Sequence, residues 1–398
     1  MGDWDDLERR RSEFPILERT VYMISNSLGA MPRGAAQGLQ EYAEVWASRG
    51  VRAWEEGWWE MAREVGDRIG GIIGAPPGTV SMHPNVTSAE MVVLSCFRPQ
   101  PGRDTIVLVE PDFPSVLYLY RAHEELGFRL KVVSGERDFT VRTERILEAI
   151  DETTVLVAFS HVLFRNSYVM DVAPIVERAH LVGARVVLDV YQSAGIVPLD
   201  VGALGVDFAT GGCLKWLCGG PGNGFLYTRR DVLRTIEPRF TGWVAHRDPF
   251  AFDSGPVQRR TDALRMMSGT PTIPAFYAAR AGLDIIAAAG VSRIREKSKR
   301  MTAHLMREAD ARGWGTTAAR DPERVAGTTA VDVPEARHVA RTLKARDFIV
   351  DYRVGAGIRI SPHFYNTFEE LDRMVGEIER IVRTRDYDVS RPFSSLVT

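Results

Sequence analysis

The feature that most constrains the fold of this chain is a series of short, apolar, β-branched runs separated by segments with helical periodicity. The runs lie at residues 105–110, 130–134, 154–160, 185–190 and 224–229, and we expect each of them to be a strand. Strands that are apolar on both faces are buried on both faces, which is typical of a mostly parallel sheet. Apolar residues at helical spacing over 172–181 predict a connecting helix. The pattern therefore predicts a doubly wound α/β domain over roughly residues 60–245.

The rest of the chain has a different organisation. A polar, turn-rich stretch at 246–256 precedes two long helical patterns, 274–289 and 291–312, which are separated by Gly290. Strands are expected at 327–334, 348–353 and 357–361, with a helix over 334–345, and Asn366-Thr-Phe-Glu-Glu is a capping-box pattern that opens a closing helix. We therefore expect an N-terminal arm (1–30), a large domain (31–255), and linker helices with a smaller α+β domain (256–398).

Charge and composition exclude several classes of partner. The 398 residues include 50 Lys and Arg against 52 Asp and Glu, a formal net charge of −2, so nucleic acid and anionic membranes are not expected partners. The first residues lack the apolar segment of a secretory signal, and no apolar run approaches the ~18 residues of a membrane helix. Cys96, Cys213 and Cys218 show neither a disulfide framework nor metal-ligand spacing. We therefore expect a cytoplasmic protein without a metal.

Lysine is rare in this chain, and one lysine stands apart from the others. The lysines are Lys131, Lys215, Lys297, Lys299 and Lys344. Lys215 lies in GGCLKWLCGGPG, after a short apolar run at 206–209, whereas Lys297 and Lys299 lie on a charged helical face. Lys215 is therefore the lysine for which a role specific to an amine is expected.

Three features fall where an open α/β sheet binds ligands, beyond the carboxyl ends of its strands. Asp189 ends a predicted strand, Lys215 follows another, and Asn85-Val-Thr-Ser-Ala precedes a helical run. A pyridoxal phosphate (PLP) enzyme needs a lysine for a Schiff base, a carboxylate for the pyridine nitrogen and a helix N-terminus for the phosphate. Each feature is also typical of a structural role: a helix cap, an N-cap and a solvated lysine. Their joint placement favours the cofactor.

The segment around Lys215 resembles a known family. Residues 188–229 read LDVYQSAGIVPLDVGALGVDFATGGCLKWLCGGPGNGFLYTR and are similar to class V aminotransferases, which are fold type I PLP enzymes, and especially to the kynureninase-like branch. The resemblance covers most of the chain and includes Tyr22-Met-Ile-Ser-Asn-Ser-Leu-Gly29, Arg52-Ala-Trp54, Asp112-Phe-Pro-Ser115, Gly242-Trp243, Ser268-Gly-Thr-Pro271 and Gly357-Ile-Arg359. It implies PLP fold type I, with a mostly parallel large domain and a smaller α+β domain.

The resemblance implies roles for the cofactor site. Lys215 would form the Schiff base and then move the Cα proton, and Asp189 would pair with the pyridine nitrogen. Phe113 would stack on the ring, while Thr87, together with the Val86 and Thr87 amides, would bind the phosphate.

The resemblance also implies a substrate site and a partner. Arg359 would bind the carboxylate of an amino-acid substrate, to which Asn26 and Ser27 would also contribute. Trp243 and Thr270 lie in segments that reach the phosphate, partly from the neighbouring subunit. A homodimer with a shared active site is therefore expected.

The chain departs from its relatives at several positions. Leu214 stands where kynureninases have a Tyr, and Gln192, which would face the phenolic oxygen of PLP as in desulfurase-like relatives, stands where kynureninases have a His. The loop 353–359 contains no cysteine, so persulfide transfer is disfavoured, and Cys213 and Cys218 are expected to be small buried hydrophobes. The favoured reading is a lyase that breaks a Cβ–X bond, by C–S β-elimination or C–C cleavage. Transamination or decarboxylating or oxidative deaminating chemistry, and a catalytically silent scaffold, remain open.

Overall fold

Helices and strands alternate along most of residues 4–389, the part of the chain that the structure, a computed structural model, describes. The helices are α1 Asp5–Arg9, α2 Arg33–Arg49, α3 Trp58–Ile73, α4 Val86–Leu94, α5 Pro114–Arg121, α6 Thr143–Ala149, α7 Val172–Leu181, α8 Arg230–Leu233, α9 Ile273–Ala289, α10 Val291–Ala311, α11 Ala336–Lys344 and α12 Phe368–Thr384. The strands are β1 Val21–Tyr22, β2 Val80–His83, β3 Thr105–Val109, β4 Arg129–Val133, β5 Thr154–Ser160, β6 Arg185–Asp189, β7 Phe208–Gly212, β8 Gly224–Thr228, β9 Gly315–Thr316, β10 Thr329–Asp332, β11 Phe348–Ile349, β12 Asp351–Arg353 and β13 Gly357–Ile360.

The largest sheet has seven strands in the order β2-β8-β7-β6-β5-β3-β4. Strands β7, β6, β5, β3 and β4 are parallel, whereas β8 pairs antiparallel with both β2 and β7. Successive residues of β3 enter different cores: Val107 and Val109 pack in one, and Ile106 and Leu108 in another. Because both faces of the sheet are covered, its strands are apolar throughout. The prediction of a mostly parallel α/β sheet is confirmed.

The smaller sheet, in the order β12-β13-β10-β9, is antiparallel and packs with α10, α11 and α12 around a separate core. The N-terminal arm joins this region, because β1 pairs in parallel with β11. The prediction of a single strand at 348–353 is therefore wrong: this segment forms two strands, β11, which pairs with the arm, and β12, which pairs with β13. Local sequence gave no sign of this division, since the arm lies more than 300 residues away in the chain.

Helix α12 begins with the predicted capping box. The Thr367 hydroxyl accepts from the Glu370 N–H, and the Glu370 carboxylate accepts from the Thr367 N–H. Helix α9 packs on α2 and α3 of the large domain, and the domain boundary at residue 255 stays a prediction. The predicted segments also include residues 1–3 and 390–398, which lie outside the described residues. Within residues 4–389, no helix has the length and apolarity needed to cross a membrane.

Candidate active site

A cavity of about 120 Å³ lies at the carboxyl end of β6, next to the start of α4. It is lined by Asn85, Val86, Thr87, Glu90, Phe113, Ser115, Val116, Asp189 and Tyr191. Four of the residues predicted from sequence for the cofactor, Val86, Thr87, Phe113 and Asp189, thus line one space. This is the position at which open α/β sheets bind ligands.

The N-terminus of α4 supplies free N–H groups to this cavity. The Asn85 carboxamide caps the helix by accepting from the Ser88 N–H at 2.9 Å. The N–H groups of Val86 and Thr87 have no hydrogen-bond partner among residues 4–389. Gly224 on β8 lets the two backbones approach, because a Cβ there would lie 2.6 Å from the Asn85 carbonyl carbon. Free amides and the helix dipole together suit a phosphate.

Asp189 is the last residue of β6, and its carboxylate is only partly satisfied by the protein. Its Oδ1 accepts from the Tyr191 N–H at 2.7 Å, while Oδ2 has no hydrogen-bond partner in the described chain. Burial raises the pKa of Asp189 to about 6, although the Tyr191 N–H and the Lys215 charge oppose the rise. A protonated ring nitrogen would supply the positive partner that this buried carboxylate lacks.

Lys215 follows β7 in a turn held by backbone hydrogen bonds from Cys213 to Asn223 and from Gly219 to Cys213. Its Nζ lies 4.2 Å from the centre of the Tyr191 ring and 5.8 Å from that of Phe113, so the amine stands beside the cavity.

The surroundings of Lys215 lower the pKa of its amine and so raise the fraction of neutral amine relative to an exposed lysine. Burial lowers the pKa of Lys215 to about 8; Asp189 opposes this shift, and the charges of Arg359 and Arg353 reinforce it. A substantial neutral fraction near pH 8 makes the amine a nucleophile and a base.

Two further carboxyl groups lie near Asp189, and the sequence analysis assigned a role to neither of them. Glu90 lines the cavity; its Oε1 accepts from the Thr210 hydroxyl at 3.2 Å, and its Oε2 is buried without a partner among the described residues. Asp112 accepts from the Ser160 N–H through both oxygens. Burial, followed by repulsion from Asp189 and Asp112, raises the pKa of Glu90 well above its usual value, and burial raises that of Asp112 to about 7. The sequence signals were the place of Asp112 in the motif 112–115 and, for Glu90, a carboxylate directly before the apolar run 91–94.

Arg359, the predicted substrate-carboxylate residue, lies on β13 and is nearly buried. Asp351 on β12 accepts from its Nε at 2.8 Å and from its Nη2 at 2.5 Å, and the Phe164 carbonyl accepts from its Nη1 at 2.6 Å. These three hydrogen bonds fix the guanidinium.

The predicted residues Asn26 and Gln192 contact each other. The Gln192 Nε2 donates to the Asn26 carbonyl at 3.0 Å, and its Oε1 accepts from Trp216 Nε1 at 3.1 Å. The Asn26 carboxamide is buried, and neither of its polar atoms has a partner in the described chain. Ser27 beside it is half-buried. The contact of Gln192 with a phenolic oxygen stays a prediction.

Trp243 and Thr270 do not line the cavity next to Lys215. Trp243 packs edge-on against Trp59 at 5.4 Å and against Phe250 at 5.9 Å, in a separate aromatic cluster. Thr270 is exposed. The two segments adjoin each other, since the Val244 N–H donates to the Ser268 carbonyl. Their expected contact with a phosphate would require a second subunit and stays a prediction.

Comparison with known proteins identifies relatives over nearly the whole chain. The model of the aminotransferase class-V family matches residues 21–374. An uncharacterized aminotransferase of Bacillus subtilis (strain 168), YcbU, is 31% identical over 93% of this chain and 97% of its own length. A kynureninase of Bacillus anthracis is 27% identical over 96% of this chain and 93% of its own.

Solved structures share the fold. A cysteine desulfurase from Thermococcus onnurineus NA1 superimposes with a TM-score of 0.83 at 23% identity, covering 95% of this chain and 98% of its own. The cystine C–S lyase C-DES gives a TM-score of 0.81 at 21% identity, covering 92% of this chain and 98% of its own. A mutant of that lyase carries glycine covalently linked to its PLP cofactor. The architecture is PLP fold type I, as expected from the sequence.

Proposed function

Because this chain belongs to the aminotransferase class-V family, we propose that it is a lyase that breaks a Cβ–X bond of an L-amino acid. Family membership confirms the expected cofactor, PLP, which when bound withdraws electrons from the substrate's Cα. The reaction is C–S β-elimination or kynureninase-like C–C cleavage, and the departures from kynureninases favour β-elimination. One observation carries the proposal: a lysine amine with a lowered pKa stands beside a cavity that ends in a buried carboxylate.

The residues of the cavity fit the two ends of the cofactor. The Val86 and Thr87 amides would hold the phosphate at the start of α4, and Asp189 would hold the ring nitrogen. Phe113, 45% exposed and on the cavity wall, offers a face for the ring. Lys215 lies next to Phe113 and Tyr191, where its amine would carry the cofactor and then accept the Cα proton.

The cysteines argue against persulfide transfer. Cys213 and Cys218 are buried, and burial raises the pKa of both thiols to about 12. The thiolate is the reactive form, so neither residue is a nucleophile at neutral pH. The leaving thiol of a cysteine conjugate would therefore depart directly. With one water consumed, the products are the thiol, pyruvate and ammonium.

C–C cleavage is the less favoured lyase reaction. Leu214 has no hydroxyl, and its carbonyl accepts from the Gly29 N–H, so this position offers no phenol next to Lys215. Transamination is the second candidate, favoured by the 31% identity to a protein named as an aminotransferase. A silent scaffold is the third candidate.

Product analysis separates these candidates. The purified enzyme would be incubated with L-cysteine, with cystathionine, with S-aryl cysteine conjugates and with kynurenine, and the products assayed. Pyruvate with stoichiometric ammonia indicates β-elimination; alanine with sulfane sulfur indicates desulfuration; alanine with anthranilate indicates C–C cleavage. A keto acid formed only with an added amino acceptor indicates transamination.

The Lys215→Ala variant is the control for catalysis. Turnover is expected to fall by at least ~10²–10⁴-fold, because a positioned base is lost together with the covalent anchor. Unchanged turnover in this variant would refute the catalytic role of Lys215, whereas a wild-type protein that binds no PLP and converts none of these substrates would favour the scaffold.

We also propose a homodimer in which each subunit completes the other's site. An apolar groove of about 520 Å³ includes the half-exposed Leu28 and Met31 and lies beside Gly219-Gly-Pro221, close to Lys215. Apolar surface of this kind is typical of an interface. Light scattering would give the mass, and mixing Lys215→Ala subunits with Trp243→Ala subunits should restore activity if the sites are shared.

A further inference from the structure

Strands β12 and β13 hold two arginines around one buried carboxylate. Asp351 and Arg359 are direct partners in the antiparallel register, so their side chains project from the same face of the sheet. Asp351 binds the Nε and Nη2 of Arg359, and Arg353 Nη2 lies 3.2 Å from Asp351 Oδ2. The Asp351 side chain is fully buried, whereas that of Arg353 is 26% exposed.

The hydrogen bonds of Arg359 leave a specific pair of donors unused. A guanidinium has five N–H groups. Asp351 accepts two of them, and the Phe164 carbonyl accepts one from Nη1. One N–H on each terminal nitrogen therefore has no partner among residues 4–389. A carboxylate can accept one hydrogen bond from each terminal nitrogen of a guanidinium.

The burial of Arg359 indicates that its two unpaired N–H groups have a ligand. Arg359 is 2% exposed, so water has little access to the unpaired N–H groups. Unpaired buried donors are costly, which points to a ligand that satisfies them.

The network adjoins the cavity, because Phe164, whose carbonyl accepts from Arg359, packs edge-on against Phe113 of the cavity wall at 5.3 Å. The charges of Arg359 and Arg353 lower the pKa of Lys215, and that of Asp351 raises it. Two guanidiniums and one carboxylate leave a single positive charge, which matches one carboxylate of a bound amino acid.

We propose that Asp351 is the positioning residue for substrate binding: it fixes one edge of the Arg359 guanidinium so that the two terminal N–H groups face the substrate α-carboxylate. Arg353 supports Asp351 from the more exposed side. The inference rests on the proposed function, because it takes an amino acid as the ligand.

The test compares two ligands that differ only at the carboxylate. The dissociation constants of L-alanine and L-alaninamide would be measured on the PLP-loaded enzyme by calorimetry and by the change in visible absorbance. The wild type is expected to prefer L-alanine by roughly 10- to 100-fold, as for paired charged hydrogen bonds. Asp351→Asn is expected to cut this ratio about tenfold while leaving the affinity for alaninamide unchanged.

The matched control is Asp207→Asn. Asp207 is equally buried and is also held by two arginines, Arg185 and Arg229, but it binds the Val186 N–H near the amino end of β6, opposite the site. The Asp207→Asn variant is expected to prefer L-alanine over L-alaninamide by the same ratio as the wild type. A general loss of stability would affect both variants, whereas loss of Arg359 positioning affects only Asp351→Asn.

The outcomes separate this inference from the proposed function. If the wild type prefers L-alanine over L-alaninamide and Asp351→Asn keeps the same ratio of dissociation constants, the positioning role is overturned. A wild type without carboxylate selectivity overturns the amino-acid function instead. If Asp351→Asn does not fold, Arg353→Gln removes only the outer partner of Asp351, and the ratio is expected to fall about threefold; an unchanged ratio there also overturns the inference.

Discussion

The close approach of Gly212 to Tyr191 provides a sharp test of the active-site geometry. Gly212 ends β7, and a Cβ at this position would lie 2.6 Å from Cε2 and 3.0 Å from Cζ of the Tyr191 ring. Ordinary contact begins near 3.4 Å, so Gly212→Ala must move a rigid ring by about 0.8 Å. The Lys215 amine lies 4.2 Å from the centre of that ring.

The expected cost has a structural and a functional part. Overpacking of this size destabilises by about 1–3 kcal/mol. For a chain of this length that corresponds to a fall in Tm of roughly 1–4 °C. With Lys215 as the proposed base, a displacement close to 1 Å beside its amine is expected to lower turnover by up to ~10²-fold.

Thermal unfolding and steady-state kinetics of the loaded enzyme would measure both parts. The control is Gly376→Ala on α12, where a Cβ meets nothing within 4 Å and alanine is expected to stabilise by ~1 kcal/mol. The double variant Gly212→Ala with Tyr191→Ala should recover the steric cost in stability, so the two changes would be non-additive. If Gly212→Ala matched the wild type in Tm and turnover, or if the two changes were simply additive, the argument would be refuted.

Further predictions concern other parts of the molecule. The rate at which the cofactor-free protein binds PLP should rise with pH, with a midpoint near 8, because the pKa of Lys215 is lowered to about 8 and only the neutral amine attacks. Stopped-flow absorbance would measure this rate, and a midpoint near 10.5 would contradict the prediction. Asp207→Ala should cost about 1–3 kcal/mol in urea unfolding, because the Val186 N–H loses its buried acceptor and the partly exposed Arg185 and Arg229 lose an ion-pair partner; an unchanged stability would be inconsistent with this role. Thr367→Ala should cost about 1 kcal/mol through loss of the α12 cap, measured in the same way, with no change in turnover.

The parallel strands, and the meeting of Val86, Thr87, Phe113 and Asp189 around one cavity, were predictable from the sequence. Apolar runs such as 154–160 and the helix over 172–181 coincide with β5 and α7, since strand and helix periodicities are local properties. The rarity of lysine and the position of Asp189 at the end of a strand pointed to the cavity, because the carboxyl ends of parallel strands meet at one edge of the sheet. The capping box before α12 was equally local.

Only the tertiary structure decided how these residues act on one another. Three contacts join residues that lie from 24 to 195 positions apart: the Tyr191 ring with the Lys215 amine, buried Glu90 with Asp189, and the hydrogen bond that Arg359 donates to the Phe164 carbonyl. The division of residues 348–353 between two sheets has the same origin, since one half pairs with the N-terminal arm. Local pattern specifies which backbone conformation and which face a residue adopts. Burial, and with it the pKa of a lysine or the free donors of an arginine, depends on contacts between distant segments and is set only when they pack together.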